Sequence, residues 1–211
     1  MPLSFIHRIE PATRPDAAPL LLLHGTGGDE NDLLPLGRAI SPGAALLAVR
    51  GKVLEHGMPR FFRRLAEGVF DEEDVVRRAH ELADFVDAAC AAFDIAAPLA
   101  LGFSNGANIA AAMLLLRPAS LSGGILLRAM VPLASPPASD LSGKAALILS
   151  GRQDPIASLA EGEGLAAMLS ARGATVERHI LPAGHQLAQA DVTLARKWLM
   201  SAPAAAAPMV E

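Results

Sequence analysis

The sequence has only one cysteine, Cys90, and therefore no intrachain disulfide. This usage fits a reducing compartment, so we expect a cytoplasmic protein. The first ten residues lack a basic region followed by a long apolar run, which argues against a signal peptide. No apolar run approaches the roughly 20 residues that span a bilayer, so stable membrane insertion is not expected.

Charged residues are also few, at 19% of the 211 residues, whereas 52% are hydrophobic. Such a chain can pack a sizeable core and is too apolar to be disordered throughout. We expect a single domain over residues 1–201 and a disordered tail over 202–211, where small residues and proline predominate. The net charge of -4 and the lack of a long basic run argue against a nucleic-acid partner.

Short apolar runs alternate with helical patterns along the chain. Continuous runs such as those at 19–23 and 145–149 predict strands that are buried on both faces. Further strands are predicted at 44–49, 98–101, 123–127 and 175–181, with an outer antiparallel strand at 4–10. Helices are predicted at 29–40, 71–93, 107–116, 157–172 and 191–200, and segment 51–70 is predicted to be irregular. The alternation predicts an α/β fold with a mostly parallel sheet and helices on both faces.

Residues 102–106 read G-F-S-N-G and join an apolar strand to an apolar helix. This is the G-x-S-x-G pattern, in which a tight turn holds a serine hydroxyl out at the end of a sheet. Gly102 and Gly106 carry no Cβ, so strand and helix can pass close to Ser104. The alternative is a glycine-bounded loop before a buried helix, because so short a pattern also arises by chance.

Two polar residues that follow predicted strands complete a candidate catalytic set with Ser104. A serine nucleophile needs a base, and a carboxylate on the other ring nitrogen orients a histidine base. Asp154 and His185 follow the last two predicted strands, and the chain order Ser, Asp, His is that of the α/β-hydrolases. As plain alternatives, Asp154 opens a turn and His185 is a surface histidine. The competing acids are Asp140, Glu161, Glu163 and Asp191, and the competing base is His56.

The candidate oxyanion hole combines two backbone amides. Asn105 lies at the start of the helix after Ser104, where amide groups lack helical partners. The second donor is expected from the loop after the first buried strand, H-G-T-G-G at 24–28. We predict the amide of Thr26 for this role, with Gly27 as the second choice. A nucleotide phosphate loop is the alternative, but the G-K-[ST] ending is missing.

The six histidines are scattered along the chain without an H-x-x-x-H pattern, and there is no cysteine pair. Protein metal sites are normally built from such clusters. We therefore predict no metal site, and the chemistry assigned above requires no cofactor.

The motifs resemble those of the phospholipase/carboxylesterase family of small α/β-hydrolases. The resemblance runs from about Pro19 to Trp198 and rests on L-L-L-H-G-T-G-G-D-E at 21–30, L-G-F-S-N-G-A at 101–107, G-R-Q-D-P at 151–155 and G-H-Q-L at 184–187. Segment 50–74 resembles the bacterial hydroquinone-associated carboxylesterase branch. The resemblance implies an α/β-hydrolase domain without a large lid, with Ser104, Asp154 and His185 as the catalytic triad.

Segment 51–70 follows a strand, so we expect it near the mouth of the site. Met58, Phe61 and Phe62 are candidates to line an acyl pocket, and Arg63 or Arg64 to meet a polar or acidic group of the substrate. As alternatives, the phenylalanines only anchor the loop and the arginines are solvated, as polar surface residues usually are.

These patterns together predict a serine carboxylesterase that acts on small or medium carboxylic esters through an acyl-enzyme. The family also contains acyl-protein thioesterases and lysophospholipases, which are the alternative within the same machinery. A hydrolase-fold protein that binds a ligand without turnover is the alternative outside enzymes. The expected partner is a small-molecule ester, and the family and the apolar composition suggest a homodimer.

Overall fold

A seven-stranded sheet forms the centre of the computed structural model, which describes residues 3–201. The predicted tail at 202–211 lies outside these residues. The strands of the sheet are β1 (His7–Glu10), β2 (Leu20–Leu23), β3 (Leu46–Val49), β8 (Leu99–Phe103), β9 (Gly123–Leu127), β10 (Ala145–Gly151) and β11 (Thr175–Leu181). Their spatial order is β1-β3-β2-β8-β9-β10-β11, and only β1 is antiparallel to its neighbour. The mostly parallel sheet predicted from the sequence is confirmed.

Helices cover both faces of this sheet. They are α1 (Leu34–Ile40), α2 (Glu72–Phe93), α3 (Asn105–Leu116), α4 (Leu159–Ser170) and α5 (Gln189–Ser201), with a 3₁₀ turn at Pro118–Ser120. Alternate strand residues enter opposite cores, because successive side chains of a strand point to opposite faces. Leu21 and Leu23 join the core under α2, α3 and α4, whereas Leu20 and Leu22 join the core under α1 and α5.

Segment 51–70, predicted to be irregular, forms two small β-hairpins. The first pairs β4 (Val53–Glu55) with β5 (Met58–Arg60), and the second pairs β6 (Arg64–Ala66) with β7 (Val69–Phe70). Glycines at the two turns adopt positive φ angles, 81° at Gly57 and 73° at Gly68, as tight hairpin turns require. The prediction was wrong because Gly57 and Gly68 are the turn residues of hairpins, and strands of two or three residues are too short to show an alternation of apolar and polar side chains.

Helix α1 begins later than predicted, at Leu34 rather than near Asp29. The Asp29 side chain accepts a hydrogen bond from the backbone N–H of Asn31 at 2.7 Å, which forms a local turn instead of a helix cap. By contrast, α2 begins where the sequence predicts. The Asp71 carboxylate caps it by accepting a hydrogen bond from the backbone N–H of Asp74.

Candidate active site

Ser104 lies on the sharp turn between β8 and α3. Its φ angle of 52° and ψ angle of -114° form a conformation that is sparsely populated for a residue with a Cβ. A Cβ on Gly106 would collide with the backbone of Leu23, and one on Gly102 with the backbone of Gly106 and Ala107. The two glycines therefore allow the helix to pass directly over the sheet, and the turn presents Ser104 at the carboxyl edge of the strands.

His185 and Asp154 reach Ser104 from the loops that follow β11 and β10. The Nε2 atom of His185 lies 2.9 Å from the Ser104 Oγ, and its Nδ1 atom lies 3.0 and 2.9 Å from the two carboxylate oxygens of Asp154. A carboxylate only accepts, so this arrangement favours a proton on Nδ1 and leaves Nε2 to accept from the serine. The three residues that the sequence singled out thus form one continuous hydrogen-bond chain.

Backbone donors hold the Asp154 carboxylate in place. The carboxylate is fully buried, and its Oδ1 also accepts from the backbone N–H groups of Ile156 and Ala157 at 2.8 and 3.0 Å. The His185 ring packs against Phe103, with ring centroids 5.3 Å apart. These contacts fix both side chains before any substrate arrives. Asp191 is bound elsewhere, so of the competing acids it is Asp154 that contacts a histidine beside Ser104.

Two unengaged amides lie near Ser104. Within residues 3–201, the backbone N–H groups of Thr26 and Asn105 have no hydrogen-bond acceptor. The amide of Gly27, the second choice, donates to the carbonyl of Pro59 at 2.9 Å. Thr26 is therefore the better candidate for an oxyanion donor, together with the first amide of α3.

His24, at the start of the same glycine-rich loop, is a buried neutral side chain. Its Nδ1 lies 2.6 Å from the carbonyl of Gly25, and its Nε2 accepts from the backbone N–H of Gly51 at 3.0 Å. Burial lowers the pKa of the imidazole, against the opposing hydrogen bond to Gly25. His24 therefore serves as a link between the candidate oxyanion loop and the segment that carries the hairpins.

Arg128, a residue that the sequence did not single out, braces the loop that carries His185. Its guanidinium donates to the carbonyls of Gly184 and Gln186 at 3.0 and 3.1 Å, on either side of the histidine. It also forms two hydrogen bonds to the Asp191 carboxylate at 2.7 and 2.9 Å, and both side chains are fully buried. The available signal was a charged residue that directly follows an entirely apolar strand, β9.

A cleft of about 380 Å³ opens in front of Ser104 and His185. Its walls include charged, apolar and amide side chains, namely those of Arg60, Arg64, Phe70, Met130, Ile156 and Gln186. Two other surface grooves, along α5 and around Ser139, contain no member of the Ser104–His185–Asp154 set. The cleft has the size of a small-ligand site.

Of the residues predicted to bind substrate, Arg64 lines the cleft. The other four do not, namely Met58, Phe61, Phe62 and Arg63. Phe61 and Phe62 are 3% and 0% exposed and lie in the core, where they anchor the hairpin segment, so the acyl-pocket prediction is corrected for them. Met58 is exposed beside Gly27, outside the cleft wall. Arg63 points to solvent and pairs with Asp71 at 2.6 Å. A sequence cannot show which face of so short a strand is buried.

Within residues 3–201, no cluster of three or more His, Cys, Asp or Glu side chains is arranged to hold a metal ion. No helix in that range is long and apolar enough to cross a membrane.

Known proteins with similar sequences and structures place the chain among the ester hydrolases. No family model matches it. It is 49% identical over 185 residues to "Putative hydrolase MhqD" of Bacillus subtilis (strain 168), covering 87% of this chain and 92% of that protein. The carboxylesterase of Bacillus cereus is 44% identical with a TM-score of 0.91, over 93% of this chain and 94% of that one. The carboxylesterase from Mesorhizobium loti is 33% identical with a TM-score of 0.90, and the match covers 96% of this chain and 97% of that one.

Fold and relatives together define the class, an α/β-hydrolase that acts on carboxylic esters. The chain belongs to the phospholipase/carboxylesterase family of small α/β-hydrolases.

Proposed function

We propose that the protein is a serine carboxylesterase in which Ser104 is the nucleophile, His185 the general base and acid, and Asp154 the residue that orients His185. The observation that carries this proposal is the 2.9 Å contact from Ser104 Oγ to a histidine whose other ring nitrogen is held by a buried carboxylate. The two unengaged amides of Thr26 and Asn105 support it, because both residues line the cleft with Ser104 and such amides stabilise the charge that develops on an ester carbonyl.

In the first half of the reaction, the Ser104 Oγ attacks the ester carbonyl carbon while His185 Nε2 takes the hydroxyl proton. The amides of Thr26 and Asn105 donate to the resulting oxyanion, and each such donor typically contributes about 10²–10³ in turnover. The positive end of the α3 dipole adds to this stabilisation. The tetrahedral species then collapses, His185 protonates the leaving alcohol, and an acyl group remains on Ser104.

In the second half, His185 takes a proton from water, which attacks the acyl carbonyl and releases the carboxylic acid. The buried Asp154 carboxylate stabilises the imidazolium that forms in both halves. The cleft volume of about 380 Å³ is in the range of small-ligand sites, which agrees with a small-molecule ester as the substrate.

Burst kinetics with p-nitrophenyl acetate and p-nitrophenyl octanoate test this function. We expect a burst of one equivalent per chain, faster turnover of the acetate, and loss of both after labelling by a fluorophosphonate on Ser104. Faster turnover of acyl thioesters or lysolipids than of short esters would favour the alternative enzymes. Folded protein that neither labels nor turns over any ester would instead favour the ligand-binding alternative.

A cytoplasmic location and a homodimer remain predictions of the sequence. Sedimentation at micromolar concentration tests the dimer, and a monomer there would contradict it.

Cys90 has a structural rather than a reactive environment, because burial raises the pKa of its thiol to about 11.

A further inference from the structure

Arg60, the last residue of β5, places a buried positive charge in the wall of the catalytic cleft. The residue is 3% exposed, yet it lines the cleft together with Ser104 and His185. Its Nη1 donates to the Thr26 Oγ1 at 2.6 Å, and its Nε donates to the carbonyl of Phe62 at 3.2 Å. Its Nη2 has no acceptor among residues 3–201. A guanidinium therefore lies beside the candidate oxyanion loop with one amino group unengaged.

The protein supplies one carboxylate for two guanidinium groups at this place. Glu55 contacts the Nε of Arg60 at 3.1 Å with one oxygen and the Nε of Arg64 at 2.8 Å with the other. Burial lowers the pKa of Arg60, but a guanidinium stays protonated at any physiological pH. The remaining acidic side chain of the cleft, Glu67, is exposed at the rim, where water screens its charge. The inner wall thus carries more positive charge than Glu55 balances.

The position of the guanidinium is fixed before a ligand arrives. The Gly27 amide donates to the carbonyl of Pro59, which ties β5 to the candidate oxyanion loop. A Cβ on Gly51 would collide with the Arg60 backbone, so the chain packs tightly there as well. The Arg60 guanidinium carbon lies 5.8 Å from the centre of the Phe62 ring. An arginine held in this way suits recognition of a planar anion, because little side-chain entropy remains to be lost.

Resting on the proposed esterase function, we propose that the substrate is an ester whose acid part carries a carboxylate a few bonds from the scissile carbonyl. Arg60 binds this carboxylate through its unengaged amino group, and Arg64 contributes at the cleft mouth. Phe103, Met130 and Ile156 contact the apolar atoms between the two ends. The substrate is then a half-ester of a dicarboxylic acid, which water converts into the free dicarboxylic acid and the alcohol.

The first test uses the unmodified protein and matched methyl esters. Monomethyl succinate and monomethyl glutarate are compared with their neutral dimethyl esters in a pH-stat, with methanol release as a second readout. We expect kcat/KM at least 10-fold higher for the half-esters, expressed mainly in KM, and a preference that weakens as salt is raised. We also expect succinate to inhibit dimethyl succinate hydrolysis at least 10-fold more strongly than butyrate does. Equal or lower kcat/KM for the half-esters would overturn the proposal.

Three variants then locate the preference. Arg60→Gln is expected to remove most of it, and Arg64→Gln, on a partly exposed side chain, to reduce it by a smaller factor. Arg14→Gln removes the same charge from an exposed ion pair with Asp16 and is the matched control. If Arg60→Gln slowed both ester types by the same factor, Arg60 would act on Thr26 and the oxyanion rather than on the substrate, which would overturn the proposal. If Arg60→Gln does not fold, the test rests on Arg64→Gln. The ratio of kcat/KM for the half-ester to kcat/KM for the dimethyl ester should then be lower than in the wild type, and an unchanged ratio would overturn the proposal.

The outcomes separate this inference from the proposed function. If dimethyl esters are hydrolysed in a Ser104-dependent manner and half-esters are not preferred, the esterase function stands and the half-ester proposal is wrong. If neither ester is hydrolysed faster by the wild type than by Ser104→Ala, both the esterase function and the half-ester proposal are wrong.

Discussion

Asp154 and Asp191 are two buried aspartates beside the same loop, and their partners differ. Both side chains are fully buried, and both also accept backbone N–H bonds, Asp154 from Ile156 and Asp191 from Ala188. Asp154 holds His185, whose charge can change during a reaction, whereas Asp191 holds Arg128, whose charge is permanent. Burial alone therefore does not distinguish the proposed catalytic carboxylate from a structural one, whereas the partner of each carboxylate does.

Replacing Ser104 separates catalysis from structure most completely. We expect Ser104→Ala to lower kcat by about 10⁴–10⁶, as removal of a triad nucleophile does, while both carboxylates keep their contacts. The free energy of unfolding, measured with urea, should stay within about 0.5 kcal/mol of the wild type or rise, because the strained turn keeps its shape. Ser170→Ala, on the exposed side of α4, is the control. Turnover near the wild-type value in Ser104→Ala would end the catalytic assignment.

Asp154→Asn tests the catalytic half of the comparison. The amide no longer selects the tautomer with a proton on His185 Nδ1, so we expect kcat to fall by about 10³–10⁴. The fold should lose little stability, because the amide oxygen can still accept from the backbone N–H groups of Ile156 and Ala157. The kcat of the purified, folded variant decides the matter. A loss below 10-fold would show that another group orients His185.

Asp191→Asn tests the structural half. It leaves the buried Arg128 without a counter-charge, so we expect the free energy of unfolding to fall by about 3–5 kcal/mol. The double variant Arg128→Met/Asp191→Leu removes both charges and should recover most of that loss. It should still show a kcat about 10²-fold below the wild type with little change in KM, because the carbonyls on either side of His185 lose their donor. A double variant with wild-type kcat would mean that the brace does not position His185.

The smallest expected effect concerns pH. Since Arg128 keeps its charge, the pH dependence of stability near neutrality should arise instead from buried His24, whose pKa is lowered in the folded state. In the unfolded chain the His24 imidazole has its ordinary pKa of about 6.5 and binds a proton below that pH, whereas the fold disfavours the protonated form. The contribution of His24 to stability is therefore present above pH 6.5 and is lost as the pH falls below it. We expect a loss of up to about 1.4 kcal/mol per pH unit between pH 6.5 and 5.

His24→Gln should flatten this slope, whereas His179→Gln, at an exposed side chain paired with Glu177, should not. Urea unfolding at several pH values measures both. An unchanged slope in His24→Gln would assign the effect to another group.

The features that a sequence can predict here are local. Four consecutive leucines at 20–23 predict a strand buried on both faces, and the spacing of Gly102 and Gly106 predicts the turn at Ser104. The positions of Asp154 and His185 followed from strand ends, because parallel strands place their carboxyl ends at one edge of a sheet.

The features that it missed depend on distant parts of the chain. Arg128 contacts carbonyls 56 and 58 residues away, and no local pattern marks such a contact. No local pattern marks Arg60 as a cleft residue, and the sequence-based prediction assigned Phe61 and Phe62 to the acyl pocket rather than to the core. The direction of each side chain on a three-residue strand depends on how the hairpin docks against the His24–Gly28 loop, which local periodicity does not encode.

The 81 residues that separate Ser104 from His185 have a consequence for how activity appears during folding. The histidine follows β11, which among residues 3–201 pairs only with β10, so the proposed nucleophile has no base until the last strand of the sheet is in place. The turn itself also depends on later residues, because the backbone N–H of Ser104 donates to the carbonyl of Leu127 in β9 at 2.8 Å. Regain of esterase activity after dilution from denaturant should therefore require the pairing of β11 with β10, which makes ester turnover a reporter of the completed sheet.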